Sequence, residues 1–209
     1  ETNRGSNNGC RCCPAFHVSI MSKVFFRNIE LNVPEDVYEP REDSFLFAHF
    51  LEKMNLDRKN ILEIGCGSGI ISIICSKKGA EVTAADINPR AVECTLQNSN
   101  SNKCKIKAFQ SDLFSSVKGK FDLILFNSPY LPVAEEKEWS AGKGSELILK
   151  FIETCKGHLL PKGKVLLLIS SLTGVEKVLQ ALRQEGFKTR NVAEESLFFE
   201  KILLLEASQ

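Results

Sequence analysis

The stretch "NILEIGCGSGIISIICSKKG", residues 60–79, decides how this chain is read. It opens on an apolar run of strand length and places glycine at 65, 67 and 69. It then continues as a helix-length apolar segment closing on two lysines and Gly79. Strand, tight turn and helix follow one another without a linker. Glycines at such a junction let the backbone turn sharply and come close to a ligand with no Cβ in the way. A glycine-rich turn alone does not say which ligand, since dinucleotide enzymes carry G-x-G-x-x-G at the same place. Here the pattern is E-x-G-x-G-x-G, with Glu63 two positions before Gly65.

Downstream, strand-like and helix-like segments alternate. "EVTAAD" (81–86) predicts a strand, "NPRAVECTLQNSN" (88–100) a helix, and "CKIKAFQ" (104–110) and "FDLILF" (121–126) two strands. A helix is predicted from about Ser145 to His158, then the strand "GKVLLLIS" (163–170) and the helix "GVEKVLQALRQEG" (174–186). Two strands, "FKTRNVAEE" (187–195) and "FEKILLLEA" (199–207), close the chain with no helix between them, so the last one should run antiparallel. Upstream, "KVFF" and "IELNV" predict a short hairpin around Arg27 and Asn28. "REDSFLFAHFLEKM" (41–54) sets Phe45, Leu46, His49, Phe50 and Met54 at helical spacing. Its Glu42 and Asp43 lie near the start, where the helix dipole favours anions. Near-continuous apolar strands are those covered on both faces. The fold class is α/β, and the layout resembles that of Rossmann-like class I S-adenosylmethionine-dependent methyltransferases. That resemblance implies a seven-stranded, mostly parallel sheet with an antiparallel last strand, plus the N-terminal hairpin and helix.

Composition is compatible with one core: 209 residues, of which 43% are hydrophobic. A formal net charge of +1 argues against a global basic field for nucleic acid or an anionic membrane, and no apolar run reaches bilayer length. Cys66, Cys75, Cys94, Cys104 and Cys155 are scattered with no C-x-x-C pair, which predicts reduced thiols in a cytosolic protein. Residues 1–20 are polar and rich in glycine and asparagine, and they predict a disordered or non-native extension before a single domain at 21–209. Cys10, Cys12, Cys13 and His17 match no standard zinc spacing, and no metal site is predicted.

The E-x-G-x-G-x-G turn resembles the first motif of the class I methyltransferases, which implies S-adenosylmethionine as cofactor. Gly65, Gly67 and Gly69 would form its cradle. Asp86 ends the second core strand twenty-one residues after Gly65, a distance at which Rossmann-like sites place a carboxylate on ribose hydroxyls. Asp86 could instead cap the helix beginning near Asn88, with Ile87 between the two. In "QSDLF", Asp112 and Leu113 match the family position for the adenine amino group and a ring nitrogen. Three acids at the ends of successive strands, Glu63, Asp86 and Asp112, point to a binding crevice.

The fourth core strand runs into Asn127, Ser128, Pro129 and Tyr130. This segment resembles the [DN]-P-P-Y of amino-group methyltransferases. An amide nitrogen is a poor nucleophile because its lone pair is delocalised. Its N–H groups must be held by acceptors while the lone pair is aimed, and much of the rate comes from that positioning. The Asn127 side-chain oxygen and the carbonyl of Ser128 would be the acceptors, Tyr130 would pack on the planar group, and Pro129 would fix the turn. Serine at 128 departs from the family's proline. It keeps the carbonyl but removes the φ restraint, so weaker preorganisation is expected, and Ser128→Pro is expected to preserve or raise turnover.

With "VYEPREDSFLF" (37–47) and "EWSAGKGSE" (138–146), the segment resembles the HemK-like glutamine-N5 methyltransferases of the archaeal and eukaryotic branch over residues 24–206. The resemblance implies a catalytic subunit that methylates the glutamine of the Gly-Gly-Gln loop in class I release factors. It also implies a heterodimer with a small zinc-binding activator protein that adds a strand to the sheet edge, with "CKIKAFQ" as the docking strand. Tyr38, Pro40, Glu42, Asp43 and Ser44 would form a lid beside the cofactor, and Trp139 and Gly142 to Gly144 would line the far rim. Adenine-N6 methylation of nucleic acid, lysine methylation of a protein, and a non-catalytic cofactor-binding subunit are the competing readings. The near-neutral charge and the absence of a target-recognition domain oppose the first of these.

Overall fold

The computed structural model describes residues 21–129 and 141–209, with residues 141–144 described by backbone alone. The hairpin is formed by Met21–Phe26 (β1) and Ile29–Pro34 (β2), with Arg27 at φ 55° in the turn. Glu42–Glu52 (α1) follows. Asn60–Ile64 (β3), Ile70–Lys77 (α2), Glu81–Asp86 (β4), Pro89–Ser101 (α3), Ile106–Gln110 (β5) and Phe121–Asn127 (β6) build the first half of the sheet. Ala141–Cys155 (α4), Leu159–Ser170 (β7), Val175–Gln184 (α5), Lys188–Ser196 (β8) and Lys201–Ser208 (β9) complete it.

The sheet order is β5-β4-β3-β6-β7-β9-β8. β3 to β7 pair in parallel, and β9 runs antiparallel to both neighbours, as the missing helix between the last strands requires. The order reverses between β3 and β6, so the carboxyl ends of these two strands flank a crevice, the place where open α/β sheets bind ligands. The glycine turn leaves β3 there, and Asn127 ends β6 beside it.

Strand alternation sorts the core into two layers. Leu166 and Leu168 of β7 and Leu123 and Leu125 of β6 pack with Leu31, Phe47, Leu51 and Ile73 on the hairpin, α1 and α2 side. Val165, Leu167 and Ile169, with Ile124 and Phe126, pack with Phe151 and Leu182 under α4 and α5. Each such side chain contributes on the order of 1.5–3 kcal/mol by leaving water. Asn127 shares the parity of Leu123 and Leu125 and so faces the α1 layer.

Two helix expectations shift. α4 begins at Ala141 rather than Ser145 and ends at Cys155, with a single 3-10 turn, Lys156–His158, closing the segment. In α1 the stripe that is fully covered is Asp43, Ser44, Phe47, Ala48 and Leu51. Phe45, Leu46, Phe50 and Met54 are only partly buried, and His49 is exposed. The helix is therefore rotated so that two polar residues of its first turn face inward.

The hairpin is fastened to α3 by two asparagines; Asn102 accepts from the Glu30 N–H at 3.4 Å and donates to the Glu30 carbonyl at 2.8 Å. Asn98 of α3 accepts from the Asn32 N–H at 2.9 Å and donates to the Asn32 carbonyl at 3.1 Å, as a neighbouring strand would. It also donates to the Ser68 carbonyl in the glycine turn at 2.9 Å. Asn88 donates to the Asp36 carbonyl at 3.0 Å, tying the segment between the hairpin and α1 to the start of α3. Through these contacts the N-terminal segment is held over the crevice.

Candidate active site

The glycine turn is shaped by its neighbours. The Gly69 backbone, at φ 84°, passes so close to α3 that a Cβ there would lie 3.1 Å from the Thr95 Cα. Gly67, at φ 50°, has nothing within 4 Å of the Cβ position, so open space lies in front of the turn. The Thr95 hydroxyl donates to the Gly67 carbonyl at 3.1 Å. The Gly67 N–H donates to Asp86 Oδ2 at 3.0 Å.

Asp86 is half-buried, and its Oδ1 accepts from the Asn88 N–H at 2.9 Å. It does not cap α3. That role falls to Asn88, whose side chain accepts from the Arg90 N–H. Each Asp86 oxygen keeps a second lone pair for a ligand hydroxyl. Ile87 beside it is 64% exposed, an apolar side chain left open at the crevice. The loop after β5 is braced by Ser111, whose hydroxyl donates to the Leu113 carbonyl and accepts from the Ser116 N–H. Gln110 donates to the Ile87 carbonyl at 2.9 Å, joining the two loops. Leu113 takes φ 46°, and Asp112 is exposed. Among the described residues, neither the Asp112 carboxylate nor the Leu113 N–H has a partner.

Glu63 lies apart from the other two acids. It is 3% exposed beneath α2, where the Ser72 hydroxyl donates to it. Burial pushes its carboxyl up to about 8, against the pull of the Ser72 hydrogen bonds, with the nearby Asp86 charge raising it further. Glu63 therefore sits behind the turn, while Asp86 and Asp112 stand at the strand ends. The five cysteines among the described residues are free and buried. Burial pushes the Cys66 and Cys75 thiols well up and Cys94 to about 11, which makes them inert packing groups.

At the end of β6 the Asn127 amide is held from α1. Its Nδ2 donates to Asp43 Oδ2 at 2.9 Å and to the Ser44 hydroxyl at 3.4 Å. Asp43 Oδ1 in turn accepts from the Tyr38 hydroxyl at 3.1 Å and the Ser44 hydroxyl at 3.3 Å. Asn127 Oδ1 is buried with no hydrogen-bond partner among the described residues. A buried acceptor left unsatisfied costs about 1–3 kcal/mol, so this oxygen reads as one kept for a ligand. Burial, together with the Asp43 charge and hydrogen bond, pushes the Tyr38 hydroxyl well above its usual range, so it stays a donor. Pro40 is buried and Glu42 is exposed.

Ser128 is 1% exposed, and its side chain takes part in the fold. Its N–H and its hydroxyl both donate to the Leu168 carbonyl of β7, at 3.3 and 2.7 Å. The looser turn expected from a missing φ restraint is thus corrected: a hydrogen-bonded tether holds residue 128 in place of a proline ring. The Ser128 carbonyl has no donor among the described residues. Tyr130 and Trp139 lie outside the described residues. Gly142, Lys143 and Gly144 fall in the first turn of α4.

Neither Asn98 nor the Asp43–Asn127 pair carries a separate signal in the sequence. The second was available in hindsight from the i, i+4, i+8 series Asp43, Phe47, Leu51, which continues an apolar stripe into a carboxylate.

A switch-point crevice carrying this turn and these strand-end acids defines a class of protein. Residues 42–199 match the methyltransferase small domain, and the chain belongs to that family of S-adenosylmethionine-dependent methyltransferases. Within it, the chain is 41% identical over 189 residues to a Methanocaldococcus jannaschii protein assigned as a protein N5-glutamine methyltransferase, covering 86% of this chain and 95% of that one. It is 33% identical to human methyltransferase HEMK2, over 73% of this chain and 80% of the relative. Among solved structures it resembles the E. cuniculi Mtq2–Trm112 complex, described as responsible for methylating the translation termination factor eRF1. There the TM-score is 0.68 at 25% identity, over 83% of this chain and 99% of that one. The HemK-like N5-glutamine group is thus the part of the family to which the chain is similar along nearly its whole described length.

Proposed function

We propose that the chain methylates the side-chain amide nitrogen of the glutamine in the Gly-Gly-Gln loop of a class I release factor. The observation that carries this reading is the buried, partnerless Asn127 Oδ1, an acceptor aimed by its own amide's bonds to Asp43 and Ser44. Together with the Ser128 carbonyl it offers two acceptors at one strand end, which suits a primary carboxamide with two N–H groups. Holding both N–H groups leaves the nitrogen free to face the crevice rather than to rotate.

The residues present fit S-adenosylmethionine. The open space at Gly67, the free lone pairs of Asp86, the exposed Ile87 and the unpartnered Asp112 carboxylate and Leu113 N–H match the turn, ribose, ring face and adenine edge. When bound, the cofactor supplies an electrophilic sulfonium methyl. Tyr38, Pro40, Glu42, Asp43 and Ser44 are assigned to the segment beside the cofactor; in support, Asp43 and Ser44 reach Asn127 directly and Tyr38 reaches Asp43.

The small activator partner belongs to the same reading. The sheet has two outer strands, β5 and β8. β8 carries a register shift at Asn191/Ala193 and the charges of Lys188, Arg190, Glu194 and Glu195, features that discourage strand addition. β5 pairs with β4 through five regular positions and presents the better edge. The buried, free thiols of the core support a cytoplasmic location, and no helix among the described residues is long and apolar enough to cross a membrane.

The test is transfer of labelled methyl from S-adenosylmethionine, with and without the activator, to three acceptors: a release factor, the same factor with its GGQ glutamine replaced, and duplex DNA. Label on the first alone supports the reading. Label that survives loss of the glutamine overturns it. Full activity of a soluble monomer without the activator would overturn the partner assignment.

A further inference from the structure

We infer that Asp43 is a positioning residue: it fixes which face of the Asn127 amide is presented to the acceptor, nitrogen toward α1 and oxygen away from it. The inference rests on the proposed reading of Asn127 as the acceptor's grip, and it moves Asp43 away from the cofactor.

A side-chain amide has two nearly isosteric orientations, and one of them would offer N–H groups where the acceptor's own N–H groups must bind. The choice is made on α1. An ionised carboxylate only accepts, so an Asn127 oxygen turned toward Asp43 would face it acceptor to acceptor. The observed orientation instead places Nδ2 2.9 Å from Asp43 Oδ2, with Ser44 Oγ receiving the second hydrogen at 3.4 Å. Asp43 is held in turn by hydroxyls from Tyr38 and Ser44 on its other oxygen. It is 3% exposed, so little water competes for these bonds. The fold supplies the geometry: Asp43 continues the buried Phe47–Leu51 stripe of α1, and Asn127 continues the Leu123–Leu125 face of β6. The two stripes pack on each other and end in this pair.

A charge-swap series tests the inference, with kinetics read separately from cofactor affinity. Asp43→Ala removes the acceptor and is expected to lower kcat about 10- to 100-fold, the effect of one charge-assisted hydrogen bond, with the Kd for S-adenosylmethionine within about twofold. Asn127→Asp alone sets two carboxylates face to face and should be at least as damaged. Asp43→Asn combined with Asn127→Asp reverses the donor and the acceptor while keeping an oxygen on the side away from α1. It should recover about tenfold or more over the Asn127→Asp single variant. Asp43→Ala with unchanged kcat, equal losses in kcat and cofactor affinity, or no recovery in the double variant would each overturn the inference.

A substrate-free readout separates this from the functional reading. In the 15N-labelled protein the Asn127 side-chain N–H groups should exchange slowly with water, and at least tenfold faster in Asp43→Ala. If the wild-type chain modifies no glutamine but shows this protection, the functional reading fails and the positioning role of Asp43 stands. Fast exchange in the wild type overturns the positioning role.

Discussion

The Ser128 hydroxyl donates to the Leu168 carbonyl at 2.7 Å, the same oxygen that accepts the Ser128 N–H. This relationship couples the end of β6 to β7 at the residue whose own carbonyl is proposed to grip the acceptor. Replacing Ser128 by alanine removes one of the two donors, and replacing it by proline removes both, leaving a buried carbonyl short of its partners. Ser128→Ala is expected to cost about 1 kcal/mol and Ser128→Pro about 1–3 kcal/mol of stability, with turnover not raised by proline. Urea unfolding and kcat for the pair decide the point. A proline variant both more stable and faster would show the tether to be dispensable.

Burial pushes Glu63 up to about 8, well above its unfolded value of 4.5, and this has a definite sign. Between those values the folded chain binds more protons than the unfolded chain, so stability falls as pH rises. The contribution is fully present below about pH 4.5 and is lost as pH approaches 8, on the order of a few kcal/mol in all. Glu63→Gln keeps the shape and the Ser72 contact without a titrating group. Unfolding free energies measured from pH 5 to 8 should decline for the wild type relative to the glutamine variant. Parallel curves would mean that Glu63 is charged in the fold.

Asn98 joins the hairpin to the glycine turn, with bonds to both backbone groups of Asn32 and to the Ser68 carbonyl, while Asn102 holds Glu30 beside it. Asn98→Leu leaves buried backbone groups unpaired and should cost about 2–4 kcal/mol. Because Ser68 lies in the glycine turn, cofactor affinity should weaken as well. Calorimetric titration of S-adenosylmethionine alongside thermal unfolding checks both; a loss of stability with unchanged affinity would uncouple the hairpin from the turn.

The parts of this molecule that follow backbone periodicity were legible in the sequence. The parallel order, the antiparallel last strand and the glycine turn come from apolar runs of fixed length and from residues that tolerate only certain backbones. The orientation of α1 was less legible, because Phe45 and Phe50 suggested an apolar face while the packed stripe runs through Phe47 and Leu51 into Asp43. The split among the three acids was hidden for a similar reason. Strand position put Glu63, Asp86 and Asp112 together, but only packing shows Glu63 sealed under α2. Ser128 is the sharpest case: the sequence showed a lost ring and could not show the hydroxyl bond that stands in for it.

Gly67 and Gly69 separate two reasons for glycine in one turn, and the separation can be measured. Both have positive φ, 50° and 84°, so alanine at either position bears a left-handed cost of about 1–2 kcal/mol. At Gly69 the new Cβ would also meet the backbone of α3, 3.1 Å from the Thr95 Cα, where no side chain can swing away. Gly69→Ala should therefore cost about 2–4 kcal/mol in total and lower Tm by several degrees. At Gly67 the Cβ meets nothing within 4 Å, so Gly67→Ala pays only the backbone term but fills the space in front of the turn. It should leave the fold largely intact and weaken S-adenosylmethionine binding about tenfold or more. Titration calorimetry and thermal unfolding on the two variants give the contrast. If Gly67→Ala binds the cofactor as the wild type does, the open space in front of the turn is not where the cofactor lies.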